Sequence, residues 1–175
     1  MKIEPLDTRE AIRDAIRAHG HAWQEAYDDF LPEDVLDGMT TDPTAEDVDA
    51  WLDRLPEEGG VTLGATVDGT ARGYVLVRWT NTKPFVRPGE AGLKEIHVHP
   101  DWWGDGIGTA LFEHACEHIP DDVAGIALEV FADNDVGRRF YESKGFAVSD
   151  SGTVDVAGDT YETVIYRRDL DSGAL

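Results

Sequence analysis

The sequence predicts one mixed α/β domain, with helices first, antiparallel strands next and a strand–helix–strand–helix unit towards the end. Three observations predict it. The first 55 residues carry apolar side chains at helical spacing. From Val61 the pattern changes to β-rich runs joined by a glycine turn. An apolar run, Leu93 to Val98, then stops at Pro100 and is followed by Trp103-Gly104-Asp105-Gly106-Ile107-Gly108-Thr109, after which helical spacing resumes. No repeat, low-complexity segment or linker interrupts the pattern, so residues 1–170 read as the domain and 171–175 as a tail.

The elements follow in order. Ile3 to Leu6 makes a short first strand. Asp7 or Thr8 caps a helix running to about His19, with Ile12, Ala15 and Ile16 as its apolar stripe. A second helical segment covers Ala22 to Tyr27, and Leu31-Pro32 turns into another short helix. Pro43-Thr44 opens a helix that ends near Leu55, where Pro56 to Gly60 stops it. Val61–Val67 and Gly73–Thr80 form a hairpin around Asp68-Gly69-Thr70. Asn81 to Gly92 is polar, holds two prolines and reads as a loop. Leu93–Val98 is a strand, Ile107 to about Ile119 a helix and Ile126–Phe131 a strand. Asp135–Ser143 is a helix closed by Gly145. Thr153–Val156 and Thr160–Tyr166 make a last hairpin around Ala157-Gly158-Asp159.

Composition excludes several classes. The chain has 175 residues, 41% of them hydrophobic, without an apolar run of membrane-spanning length. The first residues, Met1-Lys2-Ile3-Glu4-Pro5, lack a charged-then-apolar signal pattern. A single cysteine, Cys116, rules out an internal disulfide framework and fits a reducing cytoplasm. Thirty-six acids face fifteen bases, a formal net charge of -21. Such a surface repels nucleic acid. The acids are dispersed and lysine is scarce, which resembles the composition of extreme halophiles; a cationic partner is the other reading.

The glycine-rich turn between a strand and a helix places close-approaching backbone amides at a helix N-terminus, a site for phosphate or pyrophosphate. It lacks the Gly-Lys-Ser/Thr ending of a Walker A loop. Glu129 lies at a tolerable distance for a dinucleotide fold, but the glycine spacing and the preceding meander do not fit one. A tight turn without a ligand is the plain alternative.

A second constellation narrows this. Asn134, then Phe140-Tyr141-Glu142, then Gly145-Phe146 follows the next strand, about 30 residues beyond the turn. Together the two stretches resemble the GNAT superfamily of N-acetyltransferases, whose acetyl-CoA loop reads Arg/Gln-x-x-Gly-x-Gly/Ala. The resemblance is specific from about Leu93 to Phe146. It implies a single-domain GNAT-like fold, a mixed and mostly antiparallel central sheet flanked by helices. It also implies an enzyme that moves acetyl from acetyl-CoA to an amine in a ternary complex, with CoA as cosubstrate, no metal and often a homodimer. Trp103 stands where the family usually has Arg or Gln, and Asp105 where Lys or Arg is common; both departures imply weaker CoA affinity at low salt. Trp23, Tyr27, Leu31-Pro32 and Leu36 echo a pattern of some small-molecule and polyamine acetyltransferases, or simply pack a helix on the sheet.

The resemblance assigns roles residue by residue. Trp103, Gly104, Asp105, Gly106, Ile107, Gly108 and Thr109 form the pyrophosphate loop. Backbone of Ile96, His97 and Val98 meets pantetheine, with Val98 N–H the oxyanion donor. Asn134 either bonds the pantetheine arm or caps its helix. Tyr141 is the candidate general acid, since an ordinary tyrosine is protonated at neutral pH with a pKa of about 10. Arg138 and Arg139 reach CoA phosphates or pair with surface acids; Arg139 is placed with the cofactor. Glu95, His97 and His99 alternate on one strand face, opposite Lys94, Ile96 and Val98, unless a bulge intervenes. Glu95 and His97 are therefore the candidate bases. His97-x-His99 and His114-x-x-x-His118 have metal-ligand spacings, but nothing in the sequence joins them. The competing reading is a CoA-binding or sensing module without turnover, suggested by Trp103 and Asp105.

Overall fold

The computed structural model describes residues 1–55 and 58–170. Seven strands form one sheet: β1 (Lys2–Pro5), β2 (Gly60–Val67), β3 (Thr70–Arg78), β4 (Glu90–Val98), β5 (Gly125–Phe131), β6 (Ala147–Val156) and β7 (Asp159–Asp169). Their order is β1-β2-β3-β4-β5-β7-β6, and every pairing is antiparallel except β4 with β5. Among the described residues five α-helices flank it: α1 (Arg9–Ala26), α2 (Glu33–Asp37), α3 (Ala45–Arg54), α4 (Ile107–His118) and α5 (Asp135–Ser143). This is the mixed, mostly antiparallel GNAT-like sheet that the motifs implied.

Alternation along the strands builds two cores. Val75 and Val77 face α4, whose Ile107, Leu111, Phe112 and Ala115 complete the larger cluster. Tyr74 faces the other way and packs with Leu6, Ile12, Ile16 and Val48 beneath α1 and α3. The two helix layers thus lie on opposite faces, and any gap in the sheet connects them.

Local signals explain most boundaries. Thr8 accepts from Ala11 N–H and caps α1. Thr44 and Asp47 form a reciprocal capping box on α3. Asp68 and Gly69 both take positive φ, 53° and 80°, as a two-residue hairpin turn requires.

Several boundaries differ from the sequence reading, three of them for a clear tertiary reason. The two segments ending at His19 and starting at Ala22 are one helix, α1. Gly20 sits within it because a Cβ there would come 2.2 Å from the Thr40 carbonyl oxygen. It is a packing glycine, not a helix stop. β4 begins at Glu90 rather than Leu93, since Glu90, Ala91 and Gly92 pair with Gly125, Ile126 and Ala127 far along the chain. β6 begins at Ala147 rather than Thr153; its Ser149-Asp150-Ser151-Gly152 stretch has poor strand propensity and is held by β7. The expected helix stop at Pro56 and Glu57, and the tail 171–175, lie outside the described residues.

Candidate active site

The turn after β4 leaves backbone amides unpaired at a helix N-terminus. Gly104 and Gly106 adopt φ of 85° and 82°, a left-handed conformation that disfavours a side chain. Gly106 is the N-cap of α4 and offers no side-chain cap. The first intrahelical bond there is Ala110 N–H to the Gly106 carbonyl, 3.0 Å. The amides of Ile107, Gly108 and Thr109 therefore have no intrahelical acceptor, and no other acceptor is found for them among the described residues. Gly108 passes under the Phe140 ring, where a Cβ would lie 3.2 Å from Cε2. Asp105 is exposed and does not line the adjoining cleft, unlike Gly104, Gly106, Ile107, Gly108 and Thr109.

That cleft, about 790 Å³, runs into the gap between β4 and β5. The strands pair only through Glu90–Gly92, and beyond that β5 continues alone against β7. The opposite edge of β4 carries a bulge. Leu76 pairs with Glu95 but Val77 with Leu93, so Lys94 is the extra residue. His99 N–H donates to the Arg72 carbonyl at 2.8 Å. Antiparallel alternation then gives the backbone groups of His97 and Glu95 to β3 and turns those of Ile96 and Val98 into the gap. The Val98 carbonyl accepts from Trp103 Nε1 at 2.7 Å, so Trp103 closes the end of the strand.

Glu95 and His97 share the α1 face, as alternation predicts. Both Glu95 oxygens are tethered: Tyr74 Oη donates at 3.3 Å and Arg54 Nη2 at 3.5 Å. The His97 ring meets His19 at 4.9 Å and Tyr74 at 5.8 Å. Burial, and then His19, lower the His97 pKa to about 3, so it is neutral at physiological pH. His99 stacks on His21 at 4.8 Å outside the cleft.

Asn134 caps α5 through Oδ1, which accepts from Gly137 N–H at 2.9 Å, and the residue is 7% exposed. Its Nδ2 has no protein acceptor among the described residues, and the side chain lines the cleft. Both readings of Asn134 are therefore compatible. Gly137 has to lack a Cβ, which would fall 2.5 Å from Nδ2. Tyr141 also lines the cleft, packed on Phe140, Phe146 and Tyr166. Burial, and then Tyr27, push its pKa up. Arg138 bonds the Tyr166 hydroxyl and the Ala132 carbonyl, at 2.9 and 3.1 Å. Arg139 is exposed and outside the cleft lining.

On the α1 side the cleft has an aromatic wall: Tyr27 meets Trp23 at 4.9 Å and Phe131 at 5.1 Å. The N-terminal aromatic stripe thus both packs the helix and lines the cleft. Lining residues that the sequence reading did not assign to the site include these four: Glu129, Thr163, Lys83 and Lys94. Glu129 Oε2 accepts from the Thr163 hydroxyl at 2.7 Å. No local pattern marks these four, because only the sheet order brings β5, β7 and the β3–β4 loop together.

Other candidates stay apart. His114 and His118 bond carbonyls of their own helix, at 2.8 Å each. Among the described residues no three of His, Cys, Asp and Glu gather as metal ligands. Cys116 is half-buried in α4 outside the cleft, and burial raises its pKa. No described helix is long and apolar enough to cross a membrane.

Known proteins fit this geometry. Mycothiol acetyltransferase of Nocardiopsis dassonvillei is 32% identical over 147 residues, 78% of this chain and 37% of that protein. N-alpha-acetyltransferase 40 of Saccharomyces cerevisiae is 44% identical over 62 residues, 31% of this chain and 22% of that protein. The chain thus spans well under half the length of these relatives. The crystal structure of PaiA N-acetyltransferase from Thermoplasma acidophilum with coenzyme A has the same fold, with a TM-score of 0.69 at 20% identity, covering 97% of this chain and 100% of that one. The model of the acetyltransferase (GNAT) family matches residues 20–146. With that match across the glycine loop, the splayed strands and α5, the chain belongs to the GNAT acetyltransferase family.

Proposed function

We propose that this protein is an N-acetyltransferase that transfers acetyl from acetyl-CoA directly to a primary amine in a ternary complex. One observation carries the reading. The gap between β4 and β5 joins an uncapped helix N-terminus on one sheet face to a tethered carboxylate on the other. A pyrophosphate fits the amides of Gly104 to Thr109, and an extended pantetheine fits the free backbone edge of Ile96 and Val98.

The residues then divide the chemistry. The amine nitrogen attacks the thioester carbon, and Val98 N–H donates to the oxygen on which charge develops. The amine's proton leaves through water to Glu95. His97, with its pKa lowered to about 3, is too weak a base for an ammonium and acts as a neutral positioning group. The carbon–sulfur bond breaks, and Tyr141 gives its proton to the sulfur. Burial raises the Tyr141 pKa, but the thiolate leaves into the same desolvated cleft and its own pKa rises for the same reason. Asn134 Nδ2 serves the pantetheine arm. Arg139, exposed and outside the lining, has no part in holding the pantetheine arm. Cys116, outside the cleft, has no part in this step. The dispersed acids and single cysteine support a high-salt cytoplasmic setting.

The test is thiol release from acetyl-CoA with an amine panel in molar salt, alongside calorimetric binding of acetyl-CoA. Binding with turnover supports the proposal. Binding without turnover, unaltered by Tyr141→Phe, supports the sensing module instead.

A further inference from the structure

We propose that the amine acceptor also carries a carboxylate, which Lys83 and Lys94 bind on the α1 side of the cleft. The inference rests on the transferase reading and names its substrate class.

Lysine is rare in this chain. Against 36 acids there are four lysines: Lys2, Lys83, Lys94 and Lys144. Two of them line this one cleft. None of the four has a carboxylate within 4.0 Å among the described residues, so what sets Lys83 and Lys94 apart is their place on the cleft wall. Both are exposed residues that border the cavity.

Their placement is specific. Lys94 is the bulge residue of β4, next to Glu95 and just beyond the last residue, Gly92, that pairs with β5. Lys83 comes from the β3–β4 loop. Arg54 and Arg78 stand behind them, but both are engaged: Arg54 by Glu95 at 3.5 Å, and Arg78 Nη2 by the Arg54 carbonyl at 2.7 Å. The Lys94 pKa is lowered first by burial, then by Arg78, with Arg54 and Lys83 adding to it and Glu95 opposing. These cations repel one another, and an incoming anion relieves that repulsion.

The pyrophosphate is the wrong anion. Lys94 precedes Val98 by four residues of extended strand, roughly 13 Å at 3.3 Å per residue, and the glycine loop lies beyond Val98. The lysines and the amide nest therefore mark opposite ends of the cleft. Glu95, Glu129 and Asp155 also line it. Two cations and three acids suit a ligand with one ammonium and one carboxylate. A polyamine leaves both lysines facing like charge.

The experiment uses a panel of α-amino acids and dipeptides, each with its amide and its decarboxylated amine, and spermidine. Binding to the CoA-saturated protein is measured by calorimetry, and thiol release from acetyl-CoA in parallel, for the native chain, Lys83→Gln, Lys94→Gln and the double variant. The expected result is at least tenfold preference for the carboxylate form, reduced to under threefold in the double variant, with CoA affinity unchanged. Equal or better binding of amides, plain amines or spermidine overturns the proposal. So does a loss of CoA affinity in the lysine variants, which would assign these cations to the cofactor. Carboxylate-selective binding without thiol release would defeat the transferase reading and leave the lysine site standing. Turnover without carboxylate selectivity would do the reverse.

Discussion

The indole Nε1 of Trp103 donates to the carbonyl oxygen of Val98 across 2.7 Å, tying the glycine loop to the end of the strand that parts from β5. Trp103, at the position where the family's loop pattern reads Arg or Gln, thus acts on the loop's position and not on an anion's charge. Trp103→Phe keeps the ring and removes the bond. The expected cost is about 1 kcal/mol of stability, the net worth of a hydrogen bond. CoA affinity should fall several-fold as the loop loosens. Thermal melts and calorimetry check both; unchanged affinity would mean the amides are held without the indole.

Tyr141→Phe removes a hydroxyl and keeps the ring that packs on Phe140, Phe146 and Tyr166. Loss of a positioned acid lowers kcat by about 10²–10⁴-fold. Acetyl-CoA affinity should stay within about threefold, because uniform binding is untouched. A thioester with a better leaving thiolate should recover part of the rate. A kcat near the native value would remove Tyr141 from the mechanism.

Glu95 and His97 separate by substitution. Glu95→Gln should lower kcat/KM by about 10²-fold, while His97→Asn keeps it within a factor of about five. His97 matters to stability instead. Its pKa is about 3 in the folded protein, and an unfolded histidine titrates near 6.5. Between those values the unfolded chain binds more protons, so stability falls as pH drops from about 6.5 towards 3. His19, whose pKa is also lowered by burial, adds to the same slope. His97→Asn should flatten the melting temperature against pH over pH 7 to 4.5. An unaltered slope would mean that His97 is solvated in solution.

Asp105 is exposed between two left-handed glycines and lies off the cleft lining, so it acts on a bound pyrophosphate only at a distance. Asp105→Lys should tighten CoA several-fold in dilute buffer. The gain should vanish in molar salt, where the screening length is about 3 Å. A salt-independent gain would indicate direct contact with the phosphates.

Gly20→Ala tests the join between α1 and the segment before α3. In an isolated helix the change stabilises by about 1 kcal/mol. Here the new Cβ meets the Thr40 carbonyl oxygen at 2.2 Å and its carbon at 2.9 Å, and both are backbone. The melting temperature should therefore fall by several degrees. A rise would show that Thr40 moves aside freely.

By itself the sequence determined whatever depends on neighbours along the chain. The α1 start at Asp7 or Thr8, the α3 start at Pro43-Thr44, the Asp68-Gly69 turn, α5 from Asp135 to Ser143 and the glycine turn before α4 are of this kind. Motif order was enough to name the family, because Gly104 to Gly108 and Asn134 to Tyr141 each carry their chemistry within a dozen residues. Only the tertiary structure decided what depends on distant pairing. The Glu90–Gly92 strand start needs β5, the β6 start needs β7, and the continuity of α1 through Gly20 needs Thr40. The same holds for the cleft. That β4 leaves β5 after Gly92, and that Lys94 is its bulge residue, follows from partners on both strand edges. The depressed His97 and the Glu129–Thr163 pair likewise come from burial and cross-strand contact. Local propensity fixes elements and caps; burial, register and charge environment exist only once the sheet has closed.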